Sequence, residues 1–568
     1  MNEKLIAEHK KEKQESQDFK KRRYAQWREN YQLYRDHVDM NRLTQRQPIN
    51  IPIMRETIQT WISKIKEAPE LHYQAIGNSN KDKNGEIFMD ELWKHYFEKL
   101  QLDILDIVDK KIVGLQGRSF KICGMRRGEF FIDIIDPYDI EISPRANIFD
   151  LNSAQYLIRT HIFRSLREIL ANDKYSQEGK DQLKIYLQTK EGLIKAQETR
   201  DAYLEKVARL RDLGAQNYDE YNVSEVLVEL NESYKLVWNK KDNQFERHLI
   251  VFGADSAILY DEPITEALGL SRLPIVTWAD DPDLNDIWCD GKGDSVRTIN
   301  KVVNMYISQD VENRAYRNFG MYFYDNKGGT YSPKALEPKP FGLFGLPGKP
   351  RDILEQVRIE PLGDTTNQIQ YLKDLIQSSV AQTPSERGEQ SKSRTTFGEI
   401  QMTMEQSSNR NAMSTIHYRR AWKEIGEIFY ELMANNSNGV ITLHKAADNG
   451  QTYTKDIYPS DWVRPDGYDC VVTFASEKTE KQQFDIQKIQ YGLVNFQDNP
   501  EALTILKRKQ AEILDLTQDE IEKIIAYEQN KYKQGQQAGG PEEAVADPQS
   551  QASGMPFSNE QMMQQMTA

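Results

Sequence analysis

The sequence has 568 residues, of which 38% are hydrophobic and 28% charged, and its 74 Lys and Arg against 87 Asp and Glu give a net charge of −13. This length exceeds a single compact core, and the aromatic content of 10% excludes wholesale disorder. The acidic balance argues against a chain built to grip nucleic acid tightly, because phosphate binding requires a net basic surface.

The three cysteines, Cys123, Cys289 and Cys470, lie far apart and in no CxxC spacing. This predicts reduced thiols, with neither a disulfide framework nor a structural zinc site. The first residues contain no apolar signal-peptide core, and no stretch approaches the roughly 20 apolar residues that span a bilayer. We therefore expect a soluble chain that is made in a cytoplasm and has no membrane partner.

The N-terminal half alternates helix and strand patterns. A charged helix is predicted up to about residue 40, and its aromatic stripe indicates a packing face: Tyr24, Trp27, Tyr31 and Tyr34. The adjacent basic run 20–23 is interpreted as a solvated helix face, with DNA contact as the alternative. Further elements are predicted in chain order: helices over 53–66 and about 86–113, a hairpin over 119–146 with an Arg-Gly turn, a strand leading into a helix capped by Ser165, helix over 175–220, and three strands over 225–263. These elements predict an α+β region of about 290 residues.

The pattern changes at Asp290. A long helix, started by Asp294 and Ser295, carries one apolar stripe: Val296, Ile299, Val302, Val303, Tyr306 and Ile307. Two strands then bracket a centre rich in Gly and Pro, and a second helix follows with its own stripe: Ile369, Leu372, Leu375, Ile376 and Val380. After the polar loop 385–396, a third helix of about 37 residues, roughly 55 Å long, starts at Phe397. This order predicts a helical shaft in an assembly, with a small domain at its tip.

The last part of the chain is simpler. A few strands are predicted after Asn438, and residues 477–533 have a charged, helical pattern. The tail beyond Lys533 is rich in Gln, Gly, Ala and Met and lacks Lys and Arg. Such a composition cannot build a packed core, so the tail is expected to be disordered or to order only on a partner.

No catalytic motif stands out. Residues 290–295 resemble a phosphate-binding loop, but Gly follows Lys292 and Asp294 would place a negative charge in the pocket. The eight histidines are scattered, and His417 is interpreted as structural. One acidic cluster could form a two-metal nuclease site, although a solvated loop is the favoured interpretation: Asp280, Asp281, Asp283, Asp286 and Asp290. We expect no enzyme, no cofactor and no metal site.

Two local motifs carry a family resemblance. Gly291-Lys292-Gly293-Asp294 continuing to Asn300 follows the pattern G-x-G-[DS]-x-x-x-x-x-N, and residues 394–400, RTTFGEI, follow R-[TM]-T-[AF]-x-E-[IV]. With the order of elements, these motifs resemble the portal, or head–tail connector, proteins of tailed double-stranded-DNA bacteriophages. The resemblance covers most of residues 20–530, by element order more than by identity. Gly398 departs from the usual Thr or Ala, and its low helix propensity is expected to loosen the start of the third helix.

The resemblance implies an α+β, portal-like ring subunit with an α/β wing, long stem helices, a small β-containing clip and a helical crown. Its regions are a wing (1–289), stem helix 1 (290–317), clip (318–361), stem helix 2 (362–383), tunnel loop (384–396), a long wing-crossing helix with a returning β segment (397–476), a crown (477–533) and a disordered tail (534–568).

The resemblance also implies a function and partners. Twelve copies would form a ring at one capsid vertex of the virion, a channel for DNA packaging and ejection. The implied partners are double-stranded DNA, the terminase large subunit, head–tail adaptor or tail proteins, and the major capsid protein. The tunnel loop would contact DNA through Arg387, Lys392, Ser393, Arg394 and Thr395, and the clip would dock partners through Phe341, Leu343, Phe344 and Leu346. The alternatives are another oligomeric virion protein or, less favoured, a metal-dependent nuclease using the cluster from Asp280 to Asp290.

Overall fold

A computed structural model describes the following residues: 2–36, 49–65, 68–77, 80–212, 226–239, 243–283, 285–318, 322–324, 354–356, 360–361, 363, 365–380, 412–436, 440–446, 452–464, 467–474 and 489. Residues Met1–Ala475 form one compact unit, and Ser476–Ala568 form a second, of which the description covers residue 489. Within the described residues, no helix is both long enough and apolar enough to cross a membrane.

The helices are α1 (Asn2–Tyr34), α2 (Ile53–Lys64), α3 (Asn80–Lys99), α4 (Leu102–Gln116), α5 (Leu166–Ala171), α6 (Gln177–Gln188), α7 (Lys190–Asp212), α8 (Ile264–Ala267), α9 (Lys292–Asn318), α10 (Thr365–Ser379), α11 (Ala412–Asn436) and α12 (Pro459–Trp462). The strands are β1 (Glu70–Ala75), β2 (Arg118–Arg126), β3 (Glu129–Ile135), β4 (Ile140–Ile142), β5 (Tyr156–Ser165), β6 (Leu227–Asn239), β7 (Gln244–Gly253), β8 (Ala257–Pro263), β9 (Ile275–Ala279), β10 (Tyr322–Tyr324), β11 (Leu354–Gln356), β12 (Ile441–Ala446), β13 (Thr452–Ile457) and β14 (Tyr468–Thr473).

The fold is α+β, as predicted. Strands β4 to β8 form a five-stranded antiparallel meander, and β2 lies between β3 and β9 in a three-stranded antiparallel sheet. The β2–β3 hairpin turns at Arg127 and Gly128, whose φ angles of +55° and +82° belong to the tight turns that suit a twisted hairpin. Ser165 caps α5 in a reciprocal capping box with Glu168. Both of these local predictions are confirmed.

One predicted helix is two. The pattern over 86–113 predicts continuous helix, but α3 ends at Lys99 and α4 begins at Leu102. Gln101 between them has a φ of +50°, the left-handed conformation that usually favours glycine. The break lets α4 leave the direction of α3 and pack beside α2 and β2.

The main core joins sequence regions that lie far apart. β1 pairs with β14, so that Leu71 lies opposite Val472. From α11, Trp422 and Phe429 pack against Trp93 of α3 in edge-to-face contacts. The described part of 397–476 therefore folds into the same core as the residues before 290.

The helix α1 docks on the five-stranded sheet through a buried polar face. His9, Lys13 and Lys20 lie one to two turns apart and are buried. Lys13 Nζ lies 3.3 Å from Glu229 Oε1 and 3.2 Å from Asp255 Oδ2. Burial alone would raise the pKa of Asp255, but its hydrogen bond with His9 and the charge of Lys13 outweigh burial and hold this pKa well below its ordinary value.

All three cysteines are free and buried. Burial raises the pKa of Cys123 and of Cys470 to about 12, and it also raises the pKa of Cys289. The thiols are therefore protonated at neutral pH and behave as small apolar side chains.

Helices α9 and α10 pack on each other, α9 also packs on α2, and all three helices contribute to one apolar cluster. The shared cluster contains Val296, Val303, Ile376 and Val380, with Ile299, Ile307, Ile369 and Leu372 at its edge. Strands are present in both segments predicted to flank the clip centre, β10 and β11, and they pair antiparallel with each other. We call α9, α10 and this strand pair the helical hairpin. The prediction for Leu375 is wrong: it is 38% exposed, because neighbouring Ile376 takes the core-facing position.

Candidate functional site at the base of the helical hairpin

The helical hairpin starts where the loop after β9 touches the C-terminal end of α4. Gly117, the residue after α4, has a φ of +85°, and a Cβ there would overlap the carbonyl oxygen of Cys289. At Gly291 a Cβ would lie 2.7 Å from the carbonyl oxygen of Gly114. Two backbone segments therefore approach to a distance that only glycine permits, which explains the first glycine of the G-x-G motif.

Asp294 joins three helices at this point. Its Oδ2 accepts a hydrogen bond from the backbone N–H of Gly291 at 2.9 Å, and its Oδ1 accepts one from Asn30 Nδ2 at 3.0 Å. The same Asn30 amide donates to the carbonyl oxygen of Leu115 at 2.9 Å. The predicted role of Asp294 at the helix start is confirmed, although α9 begins at Lys292. Asn300, the last motif residue, is buried, and its side-chain amide makes no hydrogen bond with any described residue.

The acidic cluster before α9 is divided among separate cationic partners. Asp280 lies 2.9 Å from Lys292 Nζ and accepts a hydrogen bond from the hydroxyl of Ser414. Asp286 lies 2.7 Å from Arg22 and 3.1 Å from Arg23, which also pairs with Asp290. Asp281 and Asp283 are exposed. Across the described part of the chain, no group of three or more His, Cys, Asp or Glu could hold a metal ion.

The basic run 20–23 lies near the loop that joins β9 to α9. Its interpretation as a solvated helix face is therefore wrong for Lys20 and Arg23. Lys20 is fully buried, with Nζ 2.7 Å from Glu141 Oε1. Burial would lower the pKa of Arg23, but hydrogen bonds to Asp290 and Asp286 outweigh this effect and raise it. The run fixes α1 to the root of α9, while Lys21 remains exposed.

The middle of α4, residues 104–110, is inverted with respect to polarity. Three aliphatic side chains face outward, Ile104, Ile107 and Val108, with exposed fractions of 56%, 46% and 43%. Three charged side chains face the core, Asp106, Asp109 and Lys110, with exposed fractions of 2%, 0% and 3%. The spacing of apolar residues alone would place the isoleucines inside, so sequence reasoning missed this surface.

The buried charges of α4 pair with each other and with partners on other elements. Asp106 pairs with Lys110 at 2.6 Å and accepts a hydrogen bond from the hydroxyl of Tyr418 at 2.5 Å. Asp109 pairs with Lys121 and accepts a hydrogen bond from Trp278 Nε1 at 2.6 Å. This network fixes the orientation of α4. Turning the isoleucines inward would leave Lys121, Trp278 and Tyr418 buried without the carboxylates that they contact.

The predicted tunnel-loop and clip positions lie outside the described residues. They are Arg387, Lys392, Ser393, Arg394, Thr395, Phe341, Leu343, Phe344 and Leu346. The crown 477–533 lies outside them as well, apart from residue 489. Of the motif residues that carry the resemblance, the structure brings together those at the base of the hairpin.

Comparison with models of protein families gives no match. Comparison with curated proteins gives no significant match either.

Proposed function

We propose that the chain is the subunit of a phage portal, a ring through which duplex DNA enters and leaves a capsid. The observation that carries this proposal is the helical hairpin, rooted in the α+β body by Gly291 and Asp294 and continued by the β10–β11 pair. A pair of packed helices flanking a strand pair, at this position in the chain, is the feature by which the sequence resembles portal proteins.

The outer face of the hairpin supports assembly. The buried side chains of α9 and α10 pack into one apolar cluster with α2. Met305 of α9 and Tyr371 and Leu375 of α10 are exposed instead. Hairpins standing side by side around an axis would cover these side chains and enclose a channel.

The aliphatic face of α4 supports contact between copies in the body of the subunit. Its three exposed aliphatic side chains would lower the solubility of a monomer. The charged network beneath them prevents α4 from rotating to bury these side chains. In a ring, one surface of each copy meets a different surface of the next, and rotation closes the assembly. We assign the outward face of α4 to such a contact.

The remaining features of the proposal follow from the resemblance. The net charge of −13 per copy would repel phosphates and keep DNA sliding rather than bound. Terminase would dock on the ring during packaging, and adaptor or tail proteins would dock on it afterwards. The ring would be a virion component at one capsid vertex.

The oligomeric state of purified protein tests the proposal. Wild-type protein is expected to form rings of about twelve copies, measured by native mass spectrometry; the copy number follows the ring symmetry of the proposed family. Ile107→Glu is expected to raise the concentration needed for assembly at least about tenfold, because burying an unpaired carboxylate at every interface costs several kcal/mol.

Two controls separate the outcomes. Ile107→Leu keeps an apolar side chain and should assemble like wild type, and circular dichroism should report the same fold for all three proteins. A wild-type chain that stays monomeric at high concentration would contradict the portal proposal. If Ile107→Glu formed normal rings, α4 would not be part of the interface between copies, and the portal proposal would still hold.

A further inference from the structure

Arg118, the first residue of β2, is a buried cation that interacts with the Cys289 thiol and has no counter-ion among the described residues. Its side chain is 2% exposed, and no Asp or Glu of the described residues lies within ion-pair distance. One guanidinium nitrogen donates to the carbonyl oxygen of Ile148 at 3.2 Å, and another lies 3.5 Å from Thr277 Oγ1. The Nε–H group has no hydrogen-bond partner among the residues described.

Three other buried cations of the fold are paired with carboxylates. Lys20 pairs with Glu141, Lys110 with Asp106, and Lys121 with Asp109. Holding a cation in the interior without an opposite charge costs several kcal/mol, and this cost is normally met by a paired anion. Arg118 is therefore a position at which an anion from solution would be stabilised.

A small cavity of about 20 Å³ lies beside Arg118. Its wall includes Phe149 and His417, whose rings stack with centroids 5.6 Å apart, and Arg420. A cleft of about 330 Å³ shares Leu151, Arg420 and Glu424 with the wall of this cavity. The cavity holds one water-sized particle and excludes a tetrahedral oxyanion.

The charges around the cavity favour an anion over water. Arg420 donates to Glu424 at 3.2 Å, so the carboxylate of the cavity wall is engaged by its own partner. Burial lowers the pKa of His417, and the positive charges of Arg118 and Arg420 lower it further. A water molecule would accept a hydrogen bond from Arg118 but would leave its charge uncompensated.

We propose that this cavity binds a single-atom inorganic anion of the size of chloride, held by the Arg118 guanidinium between β2, the loop 144–154 and α11. The anion would neutralise Arg118 and fasten the N-terminal half of α11 to the three-stranded sheet. The inference does not depend on the proposed function.

Thermal unfolding of the full chain tests the proposal with chloride as the probe. The melting temperature is measured in sodium chloride against sodium gluconate at equal ionic strength. A saturable rise of roughly 2 °C or more in chloride is expected for wild type, because a ligand that binds the folded state raises its stability. Arg118→Met should abolish this rise, and Arg167→Met, at an exposed position on α5 away from the cavity, should retain it.

A second measurement covers the case in which Arg118→Met does not fold. Crystals of wild-type protein soaked in bromide should show an anomalous peak within hydrogen-bond distance of the Arg118 guanidinium. Equal melting temperatures in the two salts, or a soaked crystal with ordered water and no anomalous peak at this cavity, would overturn the proposal.

Discussion

Lys20→Met is expected to lower the free energy of unfolding by about 3–5 kcal/mol, the usual cost of removing one partner of a buried ion pair. Glu141 is fully buried, and Lys20 is its ion-pair partner at 2.7 Å. Lys20 Nζ also donates to the carbonyl oxygens of Pro137 and Ile140, at 3.2 Å and 2.7 Å. The substitution leaves all of these acceptors buried without their donor. Denaturant unfolding, compared at the transition midpoint, measures the loss.

Two matched variants isolate the cause of this loss. Lys21→Met changes the exposed neighbour on the same helix and should alter the free energy of unfolding by no more than about 0.5 kcal/mol. Lys20→Met combined with Glu141→Met replaces both charges by apolar groups and should recover much of the loss. If Lys20→Met unfolded at the wild-type midpoint, the pair would carry no stability and the docking of α1 would need another explanation.

Gly117→Ala is expected to destabilise the fold by at least about 3 kcal/mol, because a methyl group must displace backbone instead of a flexible side chain. The new Cβ would overlap the carbonyl oxygen of Cys289, and the φ of +85° adds conformational strain. The displaced segment leads directly into α9. We therefore expect lost amide protection in the first turns of α9, measured by hydrogen exchange.

Gly128→Ala is the matched control for the close approach. Gly128 has a similar φ of +82°, but no atom lies within 4 Å of a Cβ built there. This variant should lose only the roughly 1–2 kcal/mol of left-handed strain. Equal losses from both variants would show that strain alone acts at Gly117 and that the contact with the loop before α9 is not tight.

The sequence predicts elements whose signals are local. The Arg-Gly turn at 127–128, the cap at Ser165 and the carboxylate of Asp294 each act within a few residues of their own position, and each is present. The break at Gln101 is different, since neither Gly nor Pro marks it. There, packing of α4 beside α2 overrides the helical pattern.

Features that depend on distant partners could not be read from the sequence. Lys20 and Arg23 look like a solvated basic run until Glu141 and Asp286 are known to face them. The outward turn of Ile107 depends on Lys121 and other partners outside α4 that hold its acidic side chains inside. At the candidate site, the G-x-G motif identifies Gly291. Gly117, on the other side of this close backbone contact, belongs to no motif and cannot be identified from the sequence.

Electron cryo-microscopy of the assembled protein is the most direct test of the portal proposal. The account predicts closed rings in which α9 and α10 of every copy surround a central channel wide enough for duplex DNA, with the aliphatic face of α4 against the neighbouring copy. Rings without an open channel, or assemblies in which the helical hairpin points away from the axis, would contradict it and favour another oligomeric virion protein.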